Sequence, residues 1–142
     1  MTINEFMTNE HRNCDEEFAN LENTVDKEDW DNANGFFMRF SGMMQRHFAQ
    51  EEKVMFDEYN NCEGGHCNPT GMMIMEHDQM RALFEQMQNA INLKDKDNFL
   101  GLSENLLFVM QQHNMKEEQM MYGMADEFLD SDNIIQRMQQ IS

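Results

Sequence analysis

Apolar side chains recur at intervals of three and four residues along most of the chain, which is the spacing of one face of an α-helix. This pattern predicts four long helices and a short fifth one. The first, second and fourth are predicted over about residues 3–25, 27–60 and 96–128, and the third is predicted to begin at Asn68 and Pro69. The short fifth helix is predicted to follow an N-cap at Asp130 or Ser131. Asp26 is the predicted N-cap of the second helix, because acidic residues follow it. The last turns of the fourth helix are expected to bury Met120, Met124 and Phe128.

Strands are not expected, because the chain has no alternating β-branched runs. Four long helices with short connections fold most simply as an antiparallel bundle. We therefore predict an all-α protein, an up-down-up-down four-helix bundle with a short C-terminal helix, in one domain over residues 1–142. No tandem repeat longer than ten residues is apparent.

One ten-residue pattern occurs twice. "HFAQEEKVMF" fills positions 47–56 and "HNMKEEQMMY" fills positions 113–122. In each, a glutamate follows the histidine by four residues, so that both side chains lie on one helical face. The methionine and the aromatic ring that complete each match are interpreted as packing residues of the bundle.

Each of the four predicted apolar faces also carries a histidine, and two of them carry a glutamate without a lysine or arginine to neutralise it. An ionised carboxylate is rarely buried unless it is paired or binds a metal ion. A single inward histidine would most often be a hydrogen-bonded core residue, but four of them with two carboxylates predict a metal site. The candidate ligands are His11, His47, Glu51, His77, His113 and Glu117. Imidazole and carboxylate ligands without thiolate suit iron or manganese, and zinc is also possible because its affinity for such ligands is high. Two carboxylates that can bridge suit two metal ions better than one.

The stretches "HFAQEE", "NPTGMMIMEHDQMR" and "HNMKEE", together with His11, resemble the hemerythrin-like (HHE cation-binding) family over nearly the whole chain. The resemblance implies a four-helix bundle around a non-haem di-iron centre. It implies two iron ions joined by an oxo or hydroxo bridge, with Glu51 and Glu117 as bridging carboxylates.

The chain departs from the oxygen-carrying members of that family at Met73, where they have a fifth histidine one turn before the third-helix histidine. Four histidines and two glutamates are instead similar to iron-sensing and iron–sulfur-repair members. One iron would then keep a position for water or an exogenous ligand. The carriers use a carboxylate five residues after the last histidine, which would be Glu118; the four-residue spacing favours Glu117. Glu52 and Glu118 are then solvated or outer groups.

The remaining candidate residues are His66, Cys62 and Cys67, in the predicted loop "NNCEGGHCNPT". His66 could be a fifth ligand, or the three could form a second metal or redox cluster, but a surface loop is the favoured interpretation. With Cys14 the cysteines number three, and they are expected to be free thiols.

The net charge and the N-terminal sequence restrict the classes of partner and the location that we expect. The net charge of −17 argues against nucleic acid and anionic membranes. No apolar run of about 18 residues and no signal peptide is visible, so a cytoplasmic location is expected.

Two classes of function stay open. One is a module that binds O2, nitric oxide, peroxide or iron itself reversibly, for binding, storage or sensing. The other is a di-iron stress enzyme that handles peroxide or nitric oxide, or donates iron for cluster repair. A third hypothesis is a bundle in which zinc has only a structural role. Phe40, Met44, Met80 and Met110 are expected to wall the site, and no additional acid or base supports dedicated catalysis. The sequence names no protein partner.

Overall fold

The computed structural model describes residues 1–61 and 70–142, which are helical and contain no strand. Helix α1 spans Ile3–Asp26. Helix α2 is made of an α-helical part, a π-helical turn and a further α-helical part, over Trp30–Gln50, Glu51–Met55 and Phe56–Asn61. Helix α3 spans Thr70–Asn92. Helix α4 repeats the design of α2, over Lys96–Lys116, Glu117–Met121 and Tyr122–Phe128. Helix α5 spans Ser131–Gln139.

The four long helices run up and down in turn, which confirms the predicted bundle. Helix α1 packs along α2, α3 packs along α4, and the two hairpins meet through α1 with α4 and α2 with α3. Helix α5 lies against α1 and the π-helical turn of α2. No helix in residues 1–61 or 70–142 is long and apolar enough to cross a membrane.

Side-chain caps set where the helices begin. Asp29, and not Asp26, caps α2 by accepting a hydrogen bond from the backbone of Asn32. The predicted cap was wrong because the chain turns between the two residues, with Glu28 at a positive φ of 56°. Asp130 caps α5, as one of the two predicted alternatives required. The predicted start of the third helix at Asn68 and Pro69 lies outside the described residues.

The π-helical turns correct the prediction for the end of the fourth helix. Met120, Met124 and Phe128 are not buried; the buried positions are Met121, Tyr122 and Ala125. A π-helical turn has i→i+5 hydrogen bonds and so holds more residues than an α-helical turn. Every position after Glu117 is therefore displaced around the helix relative to the α-helical spacing.

The two hairpins correspond at an offset of 66 residues, well beyond the ten-residue match seen in the sequence. The turn before α2 has Glu28 at φ 56°, and the turn before α4 has Lys94 at φ 54°. Asp29 caps α2 and Asp95 caps α4, and each helix has its π-helical turn four residues after the inward histidine. In the described residues the bundle therefore has an internal pseudo-two-fold arrangement, in which the turns, the helix caps and the π-helical turns of the two hairpins correspond.

Two apolar clusters occupy opposite ends of the bundle. The larger one contains the expected wall residues Phe40, Met44, Met80 and Met110. The smaller one lies under α5 and contains Met7, Met73 and residues of both π-helical turns. The polar residues His11, His47, Glu51, His77, His113 and Glu117 are buried at the level between them.

Candidate metal centre

Each long helix brings one histidine into the centre of the bundle. His11 from α1 and His47 from α2 place their Nε2 atoms 3.1 Å apart. His77 from α3 and His113 from α4 do the same at 3.2 Å. All four rings are buried, with at most 4 % exposure. The site therefore presents two pairs of imidazole nitrogens, one pair from each hairpin.

Two fully buried carboxylates lie between these pairs. Glu51 Oε1 is 3.0 Å from His47 Nε2 and 3.5 Å from His77 Nε2. Glu117 Oε1 is 3.1 Å from His113 Nε2 and 3.2 Å from His11 Nε2. Each carboxylate thus contacts one histidine of each pair, as a group that bridges two metal ions must.

Four further glutamates face the outer nitrogens of the histidines. His11 Nδ1 donates to Glu118 at 2.7 Å, and His77 Nδ1 donates to Glu52 at 2.5 Å. His113 Nδ1 donates to Glu76 at 2.9 Å. The outer nitrogen of His47 lies 3.8 Å from a carboxylate oxygen of Glu10.

These outer contacts determine which ring nitrogen is free. A ring that donates from Nδ1 in its neutral form carries a lone pair on Nε2, and a carboxylate partner makes that nitrogen more basic. Where Nδ1 donates, the inner nitrogens therefore face one another as acceptors. Such facing lone pairs repel unless a cation lies between them.

Among the described residues, the lysine and arginine side chains that pair with the glutamates of the site bind only the outer glutamates. Arg81 donates to Glu52 at 2.9 Å, and Lys116 pairs with Glu76. For the inner Glu51 and Glu117, the ion-pair partners in residues 1–61 and 70–142 are histidines. Lysine and arginine therefore leave the inner carboxylates to be balanced by histidine or by a metal cation.

The donor set fits a metal ion by two observations. Glu51 Oε1 and Glu117 Oε2 are buried without a hydrogen bond, although Glu51 Oε1 is only 3.0 Å from His47 Nε2. Buried polar atoms without partners are uncommon and call for an ion or water. Two groups of side chains also hold their ligand atoms within 4.8 Å of one another: Glu51, His77, His113 and Glu117, and His11, His47 and Glu117.

Tyr122 is a site residue that the sequence reading missed, because the aromatic end of the repeated pattern was assigned to packing. Its hydroxyl lies 3.0 Å from His11 Nε2, 3.0 Å from Glu117 Oε1 and 3.4 Å from Glu51 Oε2. The equivalent residue in the first copy of the pattern is Phe56, which has no hydroxyl. The hydroxyl that the second copy has at this position, and the first copy lacks, was the available signal.

Glu10 and Glu76 were also missed, whereas Glu52 and Glu118 were foreseen as outer or solvated groups. Both missed residues stand immediately before an inward histidine, as Glu-His. Glu118 is 37 % exposed while Glu117 is fully buried. This places Glu117 inside the site and Glu118 at its edge, where it reaches α1.

The other candidates from the sequence do not join this cluster. Cys62, His66 and Cys67 lie outside the described residues. Cys14 is a free, buried cysteine one turn beyond His11. Burial, followed by the charges of nearby carboxylates, raises the pKa of the Cys14 thiol to about 12, so it remains protonated. Met73 is buried one turn before His77, and its counterpart Met7 is buried one turn before His11.

The pKa values of the histidines differ with their neighbours. Burial and the charge of His47 lower the pKa of His11 to about 4, and burial lowers the pKa of His113 to about 4. Burial also opposes the charging of His47, but the Glu51 and Glu10 carboxylates together outweigh it and raise the His47 pKa to about 9. Burial alone would raise the pKa of Glu51, yet the charge of His47 and the hydrogen bonds from His47 and His77 together hold it below the usual range. The metal-free site thus has charged and neutral histidines side by side.

These shifts predict that the stability of the metal-free protein is greatest near the ordinary histidine pKa of about 6.5. Below this pH the histidines of the unfolded chain bind protons, whereas His11 and His113 in the folded protein stay neutral until about pH 4. Above this pH the unfolded chain releases the proton of His47, whereas His47 in the folded protein keeps it until about pH 9. Stability is therefore lost in both directions.

Urea unfolding of the metal-free protein at a series of pH values measures this profile. We expect His11→Gln to flatten its acid limb and His47→Gln to flatten its alkaline limb. If the free energy of unfolding of the unsubstituted protein were constant between about pH 4 and about pH 9, these pKa shifts would be contradicted.

Comparison with known proteins gave one match. The family model of the hemerythrin HHE cation-binding domain matches residues 2–125 of the chain. No curated protein and no solved structure matches. The matched residues include all six inner side chains and end before α5.

Proposed function

Because this chain belongs to the hemerythrin HHE cation-binding family, we propose that it is a non-haem di-iron protein that binds a small ligand reversibly, with O2 as the principal candidate. The observation that carries the proposal is the position of Glu51 and Glu117, each in contact with one histidine of each pair. Oxygen binding, storage or sensing is the function that this geometry supports best.

Two ions account for the donor set better than one. Each histidine pair has its Nε2 atoms 3.1 or 3.2 Å apart, a separation that lets both nitrogens bind one ion at about 2.1 Å. Glu117 belongs to both groups of potential ligands, and Glu51 contacts a histidine in each. One ion at each pair, with the carboxylates shared, uses every inner donor.

Iron is favoured over zinc by the kind and number of donors. The six inner side chains offer imidazole and carboxylate and no thiolate, and Cys14 remains a protonated thiol. Structural zinc sites are almost always closed four-ligand shells. Here carboxylates shared between two imidazole pairs resemble the carboxylate-bridged di-iron sites of other helical bundles.

The residues around the centre exclude water. Phe48 stacks on the His77 ring with centroids 4.0 Å apart, and Phe56 stacks on the same ring from 5.9 Å. Met73, which replaces the fifth histidine of the oxygen carriers, is 2 % exposed near this ring. Iron bound there would supply the redox chemistry; the chain supplies dry, apolar surroundings for His77.

Reversible binding is favoured over turnover because the described residues add no acid or base to the metal donors and their hydrogen-bond partners. The outer carboxylates Glu52, Glu76 and Glu118 are engaged with ring nitrogens. Burial and the charge of Glu51 raise the pKa of Tyr122 well above its usual value, so the metal-free phenol stays neutral. Within residues 1–61 and 70–142, no further group beside the inner donors is left to transfer a proton near neutral pH.

Anaerobic loading with ferrous iron, followed by exposure to air, tests the function. We expect two irons per chain, and a visible absorption band that appears with O2 and disappears when O2 is removed. Apoprotein loaded with zinc is the matched control and should show no band. Irreversible oxidation with steady consumption of peroxide would support the stress enzyme instead. Binding of zinc alone, even with iron in excess, would overturn both.

A further inference from the structure

The pseudo-two-fold arrangement is broken inside the site at the two residues that end the repeated pattern, as it also is at Phe48, whose counterpart is Asn114. Phe56 and Tyr122 end the two copies of the ten-residue pattern, 66 positions apart. Phe56 lies 5.9 Å from the His77 ring, and Tyr122 lies 5.6 Å from the His11 ring, measured between centroids. The two rings occupy equivalent places, so the phenol oxygen is the chemical difference between them.

That oxygen points into the site, and it does so at one histidine pair. Tyr122 is fully buried. Its Oη is 3.0 Å from His11 Nε2 and 3.0 Å from Glu117 Oε1, and these two atoms are 3.2 Å from each other. The three atoms form a nearly equilateral triangle.

The triangle has the dimensions of one face of a coordination octahedron. For metal–ligand distances of about 2.1 Å, neighbouring ligand atoms in an octahedron lie about 3.0 Å apart. His47 Nε2 adds a fourth atom at 3.1 Å from His11 Nε2. A hydrogen bond to Glu117 would explain one of the 3.0 Å distances, but it does not explain why the oxygen is equally close to the nitrogen on the other side.

We propose that Tyr122 is a ligand, through Oη, of the iron ion held by His11 and His47. This assignment rests on the proposed di-iron function. Coordination forms an iron–oxygen bond and breaks the phenol O–H bond, and the proton passes to solvent. At the ion held by His77 and His113 the equivalent residue is Phe56, which offers no donor atom, so that ion would keep the coordination position that an exogenous ligand needs.

Two consequences follow for the pair of ions. They are inequivalent although the hairpins correspond, because one has an additional anionic oxygen donor. Such a donor favours the ferric over the ferrous state at the His11 and His47 position. The exogenous ligand is therefore directed to the His77 and His113 position.

The absorption of the ferric protein tests this coordination directly. A phenolate bound to iron(III) gives a visible charge-transfer band, and resonance Raman excitation in that band enhances ring vibrations. The chain has only two tyrosines, Tyr59 and Tyr122. Ring-deuterated tyrosine should therefore shift the enhanced vibrations in the unsubstituted protein, without any variant whose folding could fail.

Matched variants assign the band to one residue. We expect Tyr122→Phe to lose it and to weaken iron binding at one position by about tenfold or more, as loss of even an outer partner does. Phe56 shows that phenylalanine packs at the equivalent place. Tyr59→Phe is the control: its hydroxyl approaches Met124 Sδ at 3.9 Å, and the band should be unchanged.

The iron count separates the possible failures. Two irons per chain without tyrosine vibrations would overturn coordination by Tyr122 and leave the di-iron centre standing. A band that persists in Tyr122→Phe would also overturn it. A chain that takes up no iron would overturn the proposed function, and the coordination with it.

Discussion

Replacing Glu51 and Glu117 together by glutamine is expected to abolish the binding of two metal ions. Both carboxylates are fully buried, and each contacts one histidine of each pair. An amide keeps the shape of the side chain but removes the charge and the second carboxylate oxygen that a bridging ligand uses. Metal analysis after loading and gel filtration measures the ratio, which should fall from two ions per chain to one or none.

The adjacent glutamates provide the matched control. Glu52 and Glu118 have the same charge and follow the inner residues directly, but they bind the outer nitrogens of His77 and His11. Glu52→Gln with Glu118→Gln should keep two ions and weaken their binding by about 10–100-fold. If instead the inner double variant kept two ions and the outer one lost them, the carboxylates would have been assigned in reverse, with Glu118 in the place of Glu117.

Removing the metal is expected to lower the melting temperature by roughly 10 °C for each ion lost. A ligand present at about 1,000 times its dissociation constant stabilises the folded state by about 4 kcal/mol. In a chain of this size, 1 kcal/mol corresponds to a shift of roughly 2–4 °C. The physical source is the buried negative charge of Glu51 and Glu117, which has no lysine or arginine partner in the described part of the chain.

Calorimetry with iron and with chelator measures this shift. The Glu51→Gln and Glu117→Gln double variant is the control, and its melting temperature should not depend on iron. Equal melting temperatures of the unsubstituted protein with and without iron would show that the metal does not stabilise the folded state.

Much of the bundle could be predicted from the spacing of side chains. The apolar faces of α1, α2 and α3 are buried where the three- and four-residue intervals place them, from Met7 to Val25 and from Met73 to Ile91. This succeeds because an α-helix repeats the same geometry at every turn, so spacing along the chain becomes position on a face. The convergence of four histidines and two glutamates follows once the faces meet.

The same rule failed where the helix stopped being regular. After Glu117 the π-helical turn displaces the buried face to Met121, Tyr122 and Ala125. In both helices this turn begins at the inner glutamate of a Glu-Glu pair, and the second glutamate reaches a histidine on a neighbouring helix. Helical spacing describes one helix at a time, so it could not identify these contacts.

Sequence alone determined most of the helices, the fold class and the inward position of six polar side chains, because each depends on periodicity within a helix and on the types of residue that recur there. Tertiary structure decided the outer layer of glutamates, the correspondence of the two hairpins and the place of the Tyr122 hydroxyl. His11 and Glu118 are 107 residues apart in the chain and 2.7 Å apart in space. Such contacts depend on how the helices lie beside one another, and that arrangement is a property of the packed core as a whole.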